Sequence, residues 1–344
     1  MKKISLLLLI CFIVTMIFCG CGNSKPTLKI YNAGKYIDRS IIDEFEKQYN
    51  CRVIYDEFDS NESMYVQIAN DSYTYDLVVP SDYTIDRLIK EDRLVKLDKS
   101  LIPNVENIDP MYMNPVYDIG NEYSIPYMVG TVGIMYNKSK LNIPEEEVSY
   151  EMLFDEKYKG QIFMLDSVRD ALGVALIRLG YSVNETDPAK LDEAKNLLIK
   201  QKPLIQAYIT DEMVDKMIAG EGLMTLAYSG EAAYAMSQSK DLTYAVPKEG
   251  SNKWVDGFVV LKTGKQQELA MQFINFVCQT EIAQRNMIET GYVSPVLGTK
   301  PQYESNTEVY YPSSETLAKC EAFTYSADVT EKYTDIWTSV QISN

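Results

Sequence analysis

Asp76-Leu77-Val78-Val79-Pro80 is the stretch on which the fold turns. It is short, apolar and β-branched without alternation, the pattern of a strand covered on both faces as in a parallel sheet. Upstream, Leu28-Lys29-Ile30-Tyr31-Asn32-Ala33 reads as a strand, and Ile41, Ile42, Phe45 and Tyr49 recur at helical spacing. Arg52-Val53-Ile54-Tyr55 is a second strand, and the segment from Met64 to Ile68 suits a helix. Downstream, Ser81-Asp82-Tyr83 precedes an amphipathic run from Ile85 to Leu94. Strand–helix–strand order predicts right-handed parallel crossovers, with ligands outside the carboxyl ends of the strands. That rule puts residues 33–36 and 81–83 at a ligand edge, although both also read as ordinary loops.

The alternation continues. Gly130-Thr131-Val132-Gly133-Ile134-Met135-Tyr136 is β-rich, and its two glycines suit a passage between domains. Gly160 to Leu165 reads as a strand, and Asp166 to Asp170 leads into an apolar helix from Ala171 to Leu179. Asp187-Pro188 is a helix start with Asp as N-cap, and Leu191, Ala194, Leu197 and Leu198 mark the buried face. Leu223 to Tyr228 is a strand, followed by Ser229-Gly230-Glu231 and a helix. Residues 266–277 and 281–290 are helices, the second stopped by Gly291. There is no internal repeat.

Composition narrows the function. At 344 residues the chain suggests two compact domains or one large one. Lys+Arg 33 against Asp+Glu 49 gives −16. Nucleic acid is therefore not an expected partner, because phosphate binding needs clustered positive charge. There is no histidine, which removes Ser-His-Asp and Cys-His nucleophilic sites and His-ligated metal sites. Carboxylate-only chemistry such as glycoside hydrolysis survives that filter. With Tyr 26 and Trp 2, aromatic walls must be mostly phenol rings.

The N-terminus lies outside the fold. Lys2-Lys3 precedes an apolar run from Ile4 to Phe18, shorter than the ~20 residues of a spanning helix. The run ends in Phe18-Cys19-Gly20-Cys21 and the polar tether Gly22-Asn23-Ser24-Lys25-Pro26. This resembles a bacterial lipoprotein signal: residues 1–20 as the leader, Cys21 as the acylated first residue, residues 21–26 as the tether. An ordinary signal peptide or an uncleaved anchor is the alternative. Loss of Lys2 and Lys3 takes the formal charge from −16 to −18. Once Cys11 and Cys19 leave and Cys21 carries lipid, Cys51, Cys278 and Cys320 remain. They allow at most one internal disulfide and offer no CxxC spacing, so neither a disulfide scaffold nor a metal site is expected.

Trp254-Val255-Asp256-Gly257 reads as a strand in which Trp254 and Asp256 share a face while Val255 points into the core. An indole beside a carboxylate suits an organic ammonium ion, attracted by the ring quadrupole and paired with the acid. The plainer alternative is a half-buried Trp next to a turn Asp.

Asp76 to Ser81, Tyr123-Ser124-Ile125-Pro126-Tyr127, Leu179-Gly180-Tyr181, Trp254-Val255-Asp256 and Gly291-Tyr292-Val293-Ser294-Pro295 occur in an order that resembles the spermidine/putrescine-binding proteins, the extracytoplasmic receptors of polyamine ABC transporters. The similarity runs from Leu28 nearly to the C-terminus. It implies an α/β, two-lobed fold of periplasmic-binding-protein type II, with the chain crossing between lobes and the ligand in the interlobe cleft. Lobe one would hold residues 27–131 and 256–301, and lobe two residues 132–255 and 302–344. The family's ligand contacts fall on Tyr36, Ser81, Tyr83, Asp170, Tyr228, Trp254, Asp256 and Tyr292. Asp170 stands where relatives have glutamate and Tyr228 where they have tryptophan. Ala33 replaces a tryptophan, Ser167 an aspartate, and Phe323 falls near a glutamine position. Glu231 sits where putrescine-preferring relatives carry aspartate.

The resemblance implies a monomeric, lipid-anchored receptor that delivers polyamine to a membrane-embedded ABC permease, with no cofactor and no reaction catalysed. The physical chemistry of the ligand agrees. Alkyl ammonium groups titrate near lysine, at about 10.4, so a polyamine is a multiple cation at neutral pH. Its methylenes are apolar, so it needs spaced carboxylates (Asp170, Glu231, Asp256) with ring faces between them (Tyr36, Tyr83, Tyr228, Trp254, Tyr292). Other roles exist for some of these residues. Asp170 could cap a helix beginning at Ala171, Glu231 could sit at a helix start for its dipole, and Tyr292 could pack on Pro295. An exported carboxylate-dependent hydrolase, or a receptor of the same fold for another cationic solute, are the competing functions.

Overall fold

The computed structural model describes residues 25–70, 74–210, 212–300 and 309–343. The expected leader and Cys21 lie outside the described residues. The first strands and helices alternate as the sequence predicts: β1 (Thr27–Ala33), α1 (Arg39–Gln48), β2 (Arg52–Phe58), α2 (Asn61–Ala69), β3 (Leu77–Val78) and α3 (Asp82–Lys90). The long strand β4 (Ser124–Asn137) follows, and then β5 (Ile162–Leu165), α4 (Val168–Arg178), α5 (Pro188–Gln201), β6 (Ile205–Ile209) and α6 (Glu212–Ile218). The remainder comprises β7 (Met224–Tyr228), α7 (Ser229–Gln238), β8 (Leu242–Ala245), β9 (Lys253–Val260), α8 (Gln267–Val277), α9 (Thr280–Thr290), α10 (Ser314–Ala318) and α11 (Ala327–Ile342). Among the described residues no helix is long and apolar enough to cross a membrane.

Local chemistry explains the helix starts. The Asp38 carboxylate accepts from the Ser40 amide at the head of α1, and Ile41, Ile42 and Phe45 form its buried face. Ser60 and Ser63 cap α2 reciprocally. Asp187 caps α5, with Pro188 at its first position. Gly291 ends α9 in the left-handed region (φ 77°), where a side chain would be strained.

The strands form one hydrogen-bonded path in the order β2-β1-β3-β9-β4-β7-β5-β6, with β8 also on β4. Both of β1's neighbours run parallel to it. β3 is buried throughout, as its apolar run predicts, but its second neighbour β9 is antiparallel, Val78 opposite Val259. The sheet is therefore mixed, not all-parallel. β4 joins the two halves of the path. Residues 124–131 pair with β9, and from Val132 onward the strand pairs with β7 and β8. β4 thus passes from one half-sheet to the other at Thr131/Val132, beside the Gly130 that the sequence singles out.

Three helices start earlier than the periodicity suggests. α3 begins at Asp82 rather than Ile85, α4 at Val168 rather than Ala171, and α7 at Ser229, directly after its strand. These first turns bury polar and small residues such as Asp82, Arg169, Asp170, Ser229 and Gly230, so hydrophobic spacing does not mark them. These early starts put Asp82, Asp170 and Glu231 in first turns, where the positive end of the helix dipole favours acids.

Candidate functional site

One wall comes from the half-sheet of β1, β3 and β9. The buried Tyr36, just past β1, donates its hydroxyl to Asp256 Oδ2 at 2.7 Å. Ser81, the residue before α3, bridges to Asp256 in the sheet, and α2 orients it: Asn61 donates to the Ser81 hydroxyl at 3.0 Å and accepts from its amide at 2.9 Å. Tyr83, in the first turn of α3, donates to Glu62 at 3.2 Å. Tyr292, beyond Gly291, stands edge-on to Tyr36 with centroids 4.9 Å apart.

The other wall comes from the half-sheet of β5 and β7. Asp170 is buried in the first turn of α4, and its Oδ2 accepts hydroxyls from Ser167 (2.6 Å) and Tyr228 (2.7 Å). Tyr228, at the end of β7, turns its ring edge to Trp254 at 6.4 Å, and Trp254 meets Tyr292 at 5.7 Å. Glu231, half-buried in the first turn of α7, lies near enough to Tyr228 to hold its phenol above the ordinary range, behind the larger effects of burial and Asp170. Trp254 on β9 is 8% exposed and closes the ring chain between the walls. All nine predicted side chains therefore converge on one region.

The site is electrostatically loaded. Burial raises the Asp256 carboxyl to about 6, partly countered by the Ser81 and Tyr36 hydroxyls beside it. Asp256 Oδ1 is shielded from solvent and makes no hydrogen bond to the described residues. Asp82, 2% exposed, is raised to about 8 by burial, although the Tyr83 and Val255 amides favour its anion. Burial also raises Asp170, and its two hydroxyl partners resist that rise. Against these acids stands Arg169, buried in α4 with its guanidinium 4.1 Å over the Tyr83 ring and 5.5 Å over Phe323. Arg169 donates to Thr330 Oγ1 at 3.2 Å. A buried carboxylate oxygen without a protein donor stabilises a cation placed against it, and the surrounding rings can cover alkyl carbons.

Two local readings need correction. Asp170 does not cap α4: Ser167 does, accepting from the Asp170 amide, so the Asp170 carboxylate is left to face Tyr228. Val255 does pack against the core but only half-buried, and Trp254, read as the more open of the two, is the more buried neighbour. The reason is that β9 is flanked by strands on both sides and its Trp face is covered by ring partners. The departures from the family pattern also acquire positions. Ser167, in place of an aspartate, is the cap that bonds Asp170. Phe323 stands edge-on to Tyr83 at 6.2 Å, so it lines the site. Cys51, Cys278 and Cys320 are free and buried.

Asn61, Glu62 and Arg169 escape the sequence reading, and Asp82 enters it only as part of the 81–83 edge. Asn61 and Glu62 follow the carboxyl end of β2, so the strand-end rule would have found them had it been applied to that strand. Asp82 and Arg169 are each one residue from a predicted contact, and only burial marks them out.

The chain matches the model of the bacterial extracellular solute-binding proteins over residues 40–309. It is 33% identical over 300 residues to the spermidine/putrescine-binding periplasmic protein of Escherichia coli strain K12, which covers 86% of each chain. Among solved structures it is similar to one described as a spermidine/putrescine ABC transporter of Listeria monocytogenes, with TM-score 0.88 and 37% identity over 92% of this chain and 99% of that one. It is also similar to the Tp0655 (TpPotD) lipoprotein of Treponema pallidum, with TM-score 0.81 and 28% identity over 91% and 99%. These neighbours share the two-lobed α/β fold expected from the sequence.

Proposed function

The chain belongs to the bacterial extracellular solute-binding proteins, and from that membership we propose that it is the polyamine receptor of an ABC transporter. It binds putrescine or spermidine outside the cytoplasm and presents the ligand to a membrane-embedded permease, as a monomer held to the membrane by lipid on Cys21. It catalyses no reaction, and the hydrolase alternative loses its support, because the relatives are substrate-binding transport proteins. The name of the Treponema relative supports lipidation, as does the Cys21 leader pattern.

One observation carries the ligand class: a desolvated Asp256 carboxylate with an unpaired oxygen, enclosed by Tyr36, Trp254 and Tyr292. Asp256 takes one ammonium, Asp170 and Glu231 take another, and the rings cover the methylenes. Each desolvated cation–π contact contributes up to ~2 kcal/mol. Residues 27–131 and 256–301 form one lobe and residues 132–255 and 302–344 the other. The ligand favours closure by neutralising acids that the two lobes contribute.

The test is calorimetric titration with putrescine, spermidine and spermine, with the solution assayed afterwards for chemical change. Saturable binding of unaltered ligand is expected. Absence of binding by all three, or conversion of any of them, refutes the reading.

A further inference from the structure

Asp82 is a buried carboxylate that polyamine binding as described above does not use. It opens α3 directly after Ser81, the residue that bridges to Asp256 in the sheet. Its Oδ1 accepts from the Tyr83 amide at 2.7 Å, and the Val255 amide, one residue before Asp256, also favours its anion. The Gly257 amide donates to Pro80 at 3.1 Å, which ties the head of α3 to β9 on both sides of Asp256. The two acids therefore meet at one corner on adjacent and mutually clamped backbones, Asp82 buried and Asp256 half-buried with its Oδ1 shielded from solvent.

The charges around that corner do not neutralise both acids. Tyr36 donates to Asp256, whose charge also acts on Tyr127, while Tyr117 feels the charges of Asp82, Asp118, Asp256 and Asp86. Tyr83 adjoins through its amide. All these phenols are held above their ordinary range by burial and so stay neutral. Asp86 is compensated by Lys90 at 2.8 Å, and Asp118 is satisfied by the amides of residues 122–124 and the Ser124 hydroxyl. Arg169 is the cation that acts on Asp82, and its guanidinium lies over Tyr83 with donors directed to the Thr324 carbonyl and Thr330. Asp82 is buried and Asp256 half-buried, and the Asp256 charge adds to the rise of Asp82; adjacent acids with so little compensation titrate as a pair.

We propose that Asp82 is a further carboxylate of the cation site, sharing with Asp256 a single proton that leaves when a ligand ammonium enters. The inference rests on the polyamine reading. The balance is simple: one positive charge enters the corner, one proton passes to the buffer, and no covalent bond is made. Asp82 acts through Asp256, as a positioning residue that ties affinity to pH. Burial places the pair at about 8 and about 6, so near pH 7 the ligand-free pair holds about one proton. Affinity then rises with pH, by up to about tenfold per unit from pH 6 to 7, and levels off above 8. Putrescine itself stays doubly charged across that range, since alkyl ammonium groups titrate near 10.4.

The experiment is calorimetric titration of putrescine into the full mature chain at pH 7, in phosphate and in Tris, whose ionisation enthalpies differ, repeated at pH 6 and 8. The expected result is a buffer-dependent heat corresponding to release of half a proton or more, together with the rising affinity profile. In Asp82→Asn, which keeps an acceptor for the Tyr83 amide, the release should fall at least twofold and the profile should flatten while putrescine still binds. Equal heats in the two buffers with wild type, or undiminished release in Asp82→Asn, overturn the role of Asp82 and leave the receptor reading intact. No putrescine binding at any pH overturns both. If Asp82→Asn does not fold, the two-buffer measurement on wild type decides.

Discussion

Gly230→Ala is the sharpest test of how the site is built. Gly230 is in the first turn of α7, and a Cβ placed on it would lie 2.3 to 2.6 Å from three atoms of the Tyr292 ring. To restore 3.4 Å the ring must retreat by about 1 Å. That retreat strains its contacts with Tyr36 at 4.9 Å and Trp254 at 5.7 Å. Overpacking of this kind costs about 1–3 kcal/mol, and at 1.4 kcal/mol per decade this weakens polyamine binding by about 5- to 150-fold. An opposing effect exists, because alanine favours a helix over glycine by about 1 kcal/mol. That gain is the same in free and bound protein, so it cancels in affinity and appears only in thermal stability. Gly230 opens α7 after β7 and Tyr292 follows α9, and under the lobe closure proposed above their contact belongs to the ligand-bound state. The assay is calorimetric titration with putrescine beside a melting curve of the ligand-free protein. The expected result is weakened binding with Tm unchanged or raised. Wild-type affinity in Gly230→Ala would refute the placement of Tyr292 as a wall of the ligand site.

Asp256→Asn should weaken putrescine binding at least tenfold with little change in the Tm of the ligand-free protein, because it removes a desolvated charge and keeps the shape; calorimetry and a melt check both. Tyr228→Phe keeps the ring but removes one of the two hydroxyls on Asp170 Oδ2, and hydrogen bonds to charged groups contribute about 1.5–3 kcal/mol. Its affinity should drop by about tenfold or more, and an unchanged value would take Asp170 out of the site. The Asp82 and Asp256 carboxyls are raised in the folded protein to about 8 and about 6, so between pH 4 and 8 the folded state binds more protons than the unfolded one. Stability of the ligand-free protein should therefore be full at acid pH and fall as pH rises through that window, by up to about 1.4 kcal/mol per unit for one proton. Melting curves from pH 5 to 8 test this, and a Tm that climbs throughout would contradict the assignment.

Much of the site was legible because its residues sit at strand ends and helix starts, which local sequence specifies. Tyr36, Ser81, Tyr83, Tyr228 and Asp256 lie on or just beyond strands whose apolar runs are plain in the chain. Arg169 was not legible, because a buried and an exposed arginine look alike in a string of letters, and Glu62 was within reach of the strand-end rule only as an unremarkable exposed acid. Their roles depend on what α2 and α4 are packed against.

By itself, the sequence determined the alternation of strands and helices, the absence of histidine chemistry and the motif order that identifies the family. These follow from side-chain periodicity and residue chemistry, which act over a few neighbours at a time. Tertiary structure decided that β9 enters antiparallel between β3 and β4, that β4 changes partners at Thr131/Val132, and that α4 begins early enough to free the Asp170 carboxylate. It also decided that Asp82 and Asp256, 174 positions apart in the chain, stand on neighbouring, bridged backbones. Desolvation depends on every atom packed around a group, so the charge state of those acids is a property of the folded molecule alone.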